Sequence, residues 1–389
     1  MKKIILIFTI VLLIFPATGC KETKQELNKL SIVVAQGFDL TPDGKYLLSV
    51  QVLNPQKEPS GGMSGKMGGG QQTPSEVLVF SSIGDTPRDA LTRFSTETGK
   101  NLFFGHTKYV LIGKDLAQSG ITFLLDELLR GYESRPDNVL LVTKGSAFDI
   151  INAKTAVDKV PSETVENLLR LQTSKGYVTV TSRLDFANAV SRKTMAPTMG
   201  VIDLVKNTNT DATFKISGTA VFKKGKLIGF LDMNQTRGMQ WVKGGVQNGY
   251  IASTIHGNNK VSFHILRSKS KITPIITGNT IKMQITINEQ GNLVELQETL
   301  DPMKDYRIMD ELSLTQNKAI KSEVNLALYA AQEEFKADIF DFGGIIHREN
   351  PSYWNKIQKD WDNIFPNIKV EVKVNSSVKR PGVISKPIK

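Results

Sequence analysis

The segment Met1 to Cys20 constrains the rest of this chain most. Lys2 and Lys3 open it, Ile4 to Phe15 is apolar apart from Thr9, and Pro16, Ala17, Thr18 and Gly19 lead to Cys20. A basic start, an apolar core and small residues before a cut point are the parts of an export signal. The core is shorter than the roughly 20 residues that a helix needs to cross hydrocarbon, so the expectation is a cleaved signal and no permanent span. Cys20 is the only cysteine in the chain. An exported chain with one cysteine cannot staple itself internally, so its fold has to come from apolar cores. Hydrophobic residues make up 40% of the 389 positions, enough for roughly two or three domains.

Ala17-Thr18-Gly19-Cys20 resembles a bacterial lipobox. The resemblance implies cleavage after Gly19 and acylation of Cys20, with a diacylglycerol on sulfur and a fatty acid on the new amine. A thiolate suits thioether formation, and small neighbours let the backbone enter a peptidase. Ala17 stands where such signals usually carry leucine. Two or more acyl chains anchor stably where one does not, each buried methylene contributing about 0.8 kcal/mol. An acylated Cys20 leaves no thiol for catalysis, zinc or iron–sulfur chemistry. The plainer alternative is an ordinary signal with a chance cysteine. The net charge is +11. For an exported chain the matching neighbour is an anionic lipid or wall polymer, and nucleic acid is not an expected partner.

Downstream, short strands and helices alternate. Leu30–Ala35, Lys45–Asn54, Val77–Ser82, Tyr109–Ile112 and Asn138–Thr143 read as strands. Asp85 caps a helix to about Thr98, Asp115 to Arg130 is helical in one or two pieces, and further helices cover Ala147–Ile151 and Ser162–Gln172. This is the pattern of one mixed sheet covered by helices. Residues 59–74 are rich in Gly, Ser, Gln and Met and read as a loop. A boundary follows at 208–211. Thr213–Phe222 then pairs with Leu227–Leu231 across Lys223-Lys224-Gly225-Lys226, and Asn234 caps a short helix carrying Met239 and Trp241. Tyr250–Thr254, Val261–Ile272, Thr280–Ile287 and Leu293–Leu296 read as an antiparallel meander. Ile320, Val324, Leu328, Ala331 and Phe335 form the apolar stripe of a long helix from Asp310 to Phe335, expected to pack on that meander. A helix from Pro351 through Asp362, a strand over Ile368–Val374 and a basic tail from Ser376 complete the chain.

Reactive constellations are absent from the sequence. His106, His256, His264 and His347 are far apart, and HExxH, GxSxG and a phosphate-binding glycine loop do not occur. His106 and His347 read as structural. Glu333-Glu334 and the Asp360/Asp362 pair diverge on a helix and read as solvated faces. Met63 and Met67 do not make a soft-metal site. No catalytic, cofactor or metal residue is assigned.

Four stretches stand out: Ala337-Asp338-Ile339-Phe340-Asp341-Phe342-Gly343 with Ile346-His347-Arg348, Pro351, Trp354, Trp361 and Ile364-Phe365-Pro366; Ser217 to Lys223 with Leu227-Ile228-Gly229 and Trp241; Phe103 and His106-Thr107-Lys108 with Val110 to Gly113; and Glu26-Leu27-Asn28 with Ile32-Val33-Val34. In order and spacing they resemble the C subunit of Ger-type nutrient germinant receptors, the lipoprotein component of these receptors in endospore formers. Lys21-Glu22-Thr23 departs from the tryptophan and charges that often follow the lipid cysteine in that family. The 59–74 loop resembles an expansion. The resemblance implies a non-catalytic subunit on the outer face of the spore inner membrane, beside an A subunit and a multispanning B subunit, with no small-molecule site of its own.

The expected fold is α+β and multi-lobed, with mixed, mostly antiparallel sheets covered by helices and a long amphipathic helix in the C-terminal lobe. The expected divisions are a signal at 1–19, an N-terminal domain at 20–207, a C-terminal domain at 212–375 built as one lobe or as two (212–250 and 250–375), and a tail at 376–389. The expected function is a lipid-anchored receptor subunit required for nutrient-triggered germination. A solute-binding lipoprotein of a transporter is the alternative and predicts two similar α/β lobes around a cleft. A lipid-anchored wall hydrolase is a third reading and predicts a convergent acid or metal site.

Overall fold

The structure, a computed structural model, describes residues 30–54, 76–131, 135, 137–155, 158–192, 194–206, 212–278, 280–297 and 306–380. Gly19, Cys20, Met63, Met67 and Glu26-Leu27-Asn28 lie outside the described residues.

The first sheet has ten strands. They are β1 (Leu30–Leu40), β2 (Tyr46–Leu53), β3 (Val77–Gly84), β4 (Asn101–Phe103), β5 (Tyr109–Ile112), β6 (Val139–Val142), β7 (Thr181–Ser182), β8 (Thr198–Lys206), β9 (Ala212–Lys223) and β10 (Lys226–Leu231). The order is β10-β9-β8-β6-β5-β1-β2-β3, with β4 beside β1 and β7 beside β6. The central strands β1, β5, β6 and β8 run parallel, and the flanking pairs are antiparallel. Parallel strands are covered on both faces and so lose polar alternation. Tyr-Val-Leu-Ile in β5 is buried at every position.

Among the described residues, six helices cover this sheet. One face of the sheet carries α1 (Pro87–Thr98), α2 (Lys114–Ser119), α3 (Thr122–Arg130) and α6 (Arg183–Ser191), packed through Phe94, Leu116, Leu124 and Phe186. The other carries α4 (Ala147–Ile151) and α5 (Pro161–Thr173), through Ile150, Ile151 and Val165. Helix α7 (Met233–Lys243) leaves β10 and crosses to the second sheet. Helix α1 is capped by Thr86, whose hydroxyl accepts from Asp89 N, and not by Asp85. Helix α7 is capped by Asp232, not Asn234: Asp232 accepts from Gln235 N while Gln235 returns a bond to Asp232 N, satisfying two end groups at once.

The second sheet has the order β11-β12-β13-β14, formed by β11 (Gly249–Ile255), β12 (Asn259–Thr277), β13 (Thr280–Leu296) and β14 (Lys369–Val378). The first three make the antiparallel meander, and β14 joins β13 in parallel. Ser376–Val378, the start of the expected tail, is strand because it pairs with Glu289, Gln290 and Gly291. One face of this sheet buries Ile251, Phe263, Ile265, Ile285 and Ile287 against Trp241 of α7 and Ile320 and Val324 of α8 (Tyr306–Tyr329). Helix α8 runs into a wider turn at Ala330–Glu334, closed by Phe335 N to Ala330 O. The chain ends through α9 (Phe342–Glu349), α10 (Pro351–Ile357) and α11 (Trp361–Ile364). The stretch read as one helix from Pro351 through Asp362 is broken by a tighter turn at Gln358–Asp360.

Strand β9 pairs with β8, and β10 with β9, so both complete the first sheet although they follow the 208–211 boundary.

Candidate functional site

A buried polar cluster lies where α7, α8 and β11 meet. Gly238 allows it: a Cβ there would sit 2.0 Å from the carbonyl oxygen of Glu323, so only glycine lets the two helix backbones approach this closely. One residue earlier, the Arg237 side chain turns under α8. Its Nε donates to Glu323 Oε2 at 2.8 Å, and its Nη2 donates to Glu323 Oε1. Its Nη1 donates to Tyr250 O at 2.9 Å and to the Tyr177 hydroxyl, and the Tyr177 ring lies 4.8 Å from the guanidinium carbon. Trp241 Nε1 also donates to Glu323 Oε2, at 2.9 Å. Burial disfavours the Arg237 cation, but the Glu323 carboxylate more than offsets this and holds its pKa above the usual value. Removing one partner of such a buried pair costs about 3–5 kcal/mol, because the other charge is left uncompensated.

An open cleft of about 780 Å³ runs outward from this knot between β11 and α8. Tyr250, Ser253 and His256 line one side, and Glu311, Lys318 and Ser322 line the other. His256 Nε2 meets Glu311 Oε1 at 2.6 Å. The cleft presents hydrogen-bonding groups and charge, the chemistry of binding. Among the described residues, no three His, Cys, Asp or Glu side chains are grouped to hold a metal ion.

A second polar cluster joins the two halves. Asp338 is 5% exposed and its carboxylate accepts from Phe340 N at 3.1 Å and Gly343 N at 2.9 Å. Burial outweighs these donors and pushes its pKa up to about 7. Its carbonyl takes Ala196 N of the first half at 2.7 Å. Asp341, at φ 62°, accepts from the Thr194 hydroxyl at 3.0 Å and from Arg348 at 3.2 Å. Gly343 must lack a side chain, since a Cβ would lie 2.8 Å from Thr194 O and 2.9 Å from the Trp354 ring.

The histidines have separate surroundings. His106 is exposed beside Phe103, His256 pairs with Glu311, His264 stacks on Tyr250 at 4.9 Å, and His347 lies 6.1 Å from Trp354. Glu333 and Glu334 are exposed on the wider turn that ends α8. Asp360 accepts from Asn363, and Asp362 reaches back to Lys223 at 3.2 Å, a contact between distant parts of the chain that its helical neighbours do not announce. Arg237, Glu323 and Tyr177 were not singled out by the sequence. The available signal was Glu323 directly before Val324 of the apolar stripe, a charge at the edge of a buried face.

Both halves of the chain match family models. Residues 23–204 match the model described as spore germination protein N-terminal domain, and residues 217–382 match spore germination B3/GerAC like, C-terminal. The chain belongs to this spore germination family. Spore germination protein KC of Bacillus subtilis (strain 168) is 28% identical over 406 residues, spanning 100% of this chain and 98% of that protein. Spore germination protein B3 of the same organism is 27% identical over 374 residues, spanning 95% of each. The crystal structure of the GerBC protein shares the fold, with a TM-score of 0.54 at 23% identity over 89% of this chain and 98% of that one. The stretches that carry the germination-family resemblance include structural joints. Asp338, Asp341 and Gly343 tie α9 to Thr194 and Ala196, and Trp241 seats α7 on Glu323. Lys223, at the end of β9, donates to Lys336 O at 3.1 Å.

Proposed function

We propose that this protein is the lipid-anchored, non-catalytic C subunit of a spore nutrient germinant receptor. The match of both halves to germination-family models over residues 23–204 and 217–382 carries this reading. Cleavage after Gly19 and diacylglycerol on Cys20 hold the body at the outer face of the spore inner membrane. Among the described residues no helix is long and apolar enough to cross a membrane. The A and B membrane subunits are its partners, and its role is to keep them in working order, without a cofactor and without turning over a substrate. A mixed ten-stranded sheet beside a four-stranded one does not supply the two similar lobes that a solute-binding lipoprotein requires.

Affinity purification of the full chain from spore membranes tests this reading. The expected result is recovery of both membrane subunits, with a mature N-terminus at acylated Cys20 by mass spectrometry. Recovery of the chain alone, or of an unmodified Cys20, contradicts the corresponding part.

A further inference from the structure

The second sheet ends in two edge strands, β11 and β14, and they differ. Strand β14 carries Lys369, Glu371 and Lys373, charges that discourage pairing with another chain. Strand β11 reads Gly-Tyr-Ile-Ala-Ser-Thr-Ile, without a charge or proline. It pairs with β12 without a register shift from Gly249 to Ile255, so no bulge bends it away.

Its free backbone groups can be assigned. In an antiparallel edge strand, alternate residues turn both N–H and C=O away from the sheet. The Tyr250 carbonyl accepts from the Arg237 side chain, which lies outside the sheet, so the even-numbered residues face outward. Ala252 and Thr254 share this phase and are exposed, so by the same alternation their N–H and C=O turn away from β12, and among the described residues they make no bond to a group outside the ladder. They border the 780 Å³ cleft, which Arg237 closes at one end. His256 Nε2 and Glu311 Oε1 meet across the cleft, while Lys318 is exposed with no carboxylate partner among the described residues.

Resting on the receptor-subunit reading, we propose that the outer edge of β11 takes one extended segment of a membrane-subunit partner. That segment adds as a fifth strand through the main chain of Ala252 and Thr254, with an acidic side chain facing Lys318. A row of backbone donors and acceptors with strand spacing selects an extended polypeptide, and the unpaired ammonium selects its charge.

Single-residue amide hydrogen exchange on the full chain, alone in detergent and within the purified receptor, tests this. Ala252 and Thr254 are expected to exchange at least tenfold more slowly in the receptor. Ile251 and Ser253, bonded to β12, should be protected in both samples. Equal exchange of Ala252 and Thr254 in the two samples overturns the proposal, and so does protection that arises when the isolated chain dimerises. A chain that purifies without membrane subunits overturns the receptor reading itself, a separate result. Ala252→Pro removes one outward N–H and leaves the ladder to β12 intact. It should lower recovery of the partners at least tenfold with an unchanged melting temperature, and Lys318→Glu should also lower it. Full recovery with both variants contradicts the proposal.

Discussion

At the scale of single residues, two buried carboxyls and one ion pair govern the second half. Glu289 is 1% exposed on the inner face of β13, beside Gln316 and Ser376, and burial raises its pKa to about 7 from 4.5. The folded state therefore holds a proton that the unfolded chain releases above about 4.5. The contribution to stability is fully present below that value and is lost as pH rises through about 7, a difference of about 3 kcal/mol. Asp338, also raised to about 7, acts in the same direction. Urea unfolding should show stability falling between pH 5 and 8, less steeply in Glu289→Gln and less steeply still with Asp338→Asn added. An unchanged slope in the double variant contradicts this. Glu323→Ala strands the Arg237 cation and the Trp241 N–H, and should cost about 3–5 kcal/mol in the same experiment. Little of this was legible in sequence. A glutamate beside an apolar stripe has the same letters whether it is solvated or bonded to three N–H groups, and its partners stand 82 and 86 positions away.

At the scale of elements, local patterning carried most of the fold. The alternation in Leu48, Val50 and Val52 placed β2, and the stripe of Ile320, Val324 and Leu328 placed α8. The hairpin β9–β10 was legible because Lys224 and Gly225, at φ 51° and 76°, make the two-residue turn that suits twisted strands. Helix α6 and strand β8 had no expectation over residues 183–206. The β8 sequence Thr-Met-Gly-Val-Ile-Asp-Leu-Val-Lys alternates weakly, since a parallel neighbour on one side buries both of its faces near the centre. The joint between α7 and α8 was invisible because it depends on Gly238, whose role exists only once Glu323 arrives against it. Gly238→Ala should force the helices apart and lower stability by more than the roughly 1 kcal/mol or less that alanine gains in an ordinary helix. A stabilised protein in thermal melts contradicts the close-packing account.

At the scale of the molecule, the two unlike sheets are held together by α7, by the Asp338–Ala196 and Asp341–Thr194 bonds and by Lys223–Asp362. Such a body fits a scaffold, with an edge strand, β11, at one margin of its second sheet. Cys20→Ala should move the mature body from the membrane fraction to the soluble fraction, read by fractionation of spore extracts. Retention in the membrane would shift the anchoring role to its partners. Nutrient-triggered germination is expected to require this chain. Spores lacking its gene should fail to germinate in response to at least one nutrient, and the wild-type gene should restore the response. Unchanged responses to every nutrient would contradict the account.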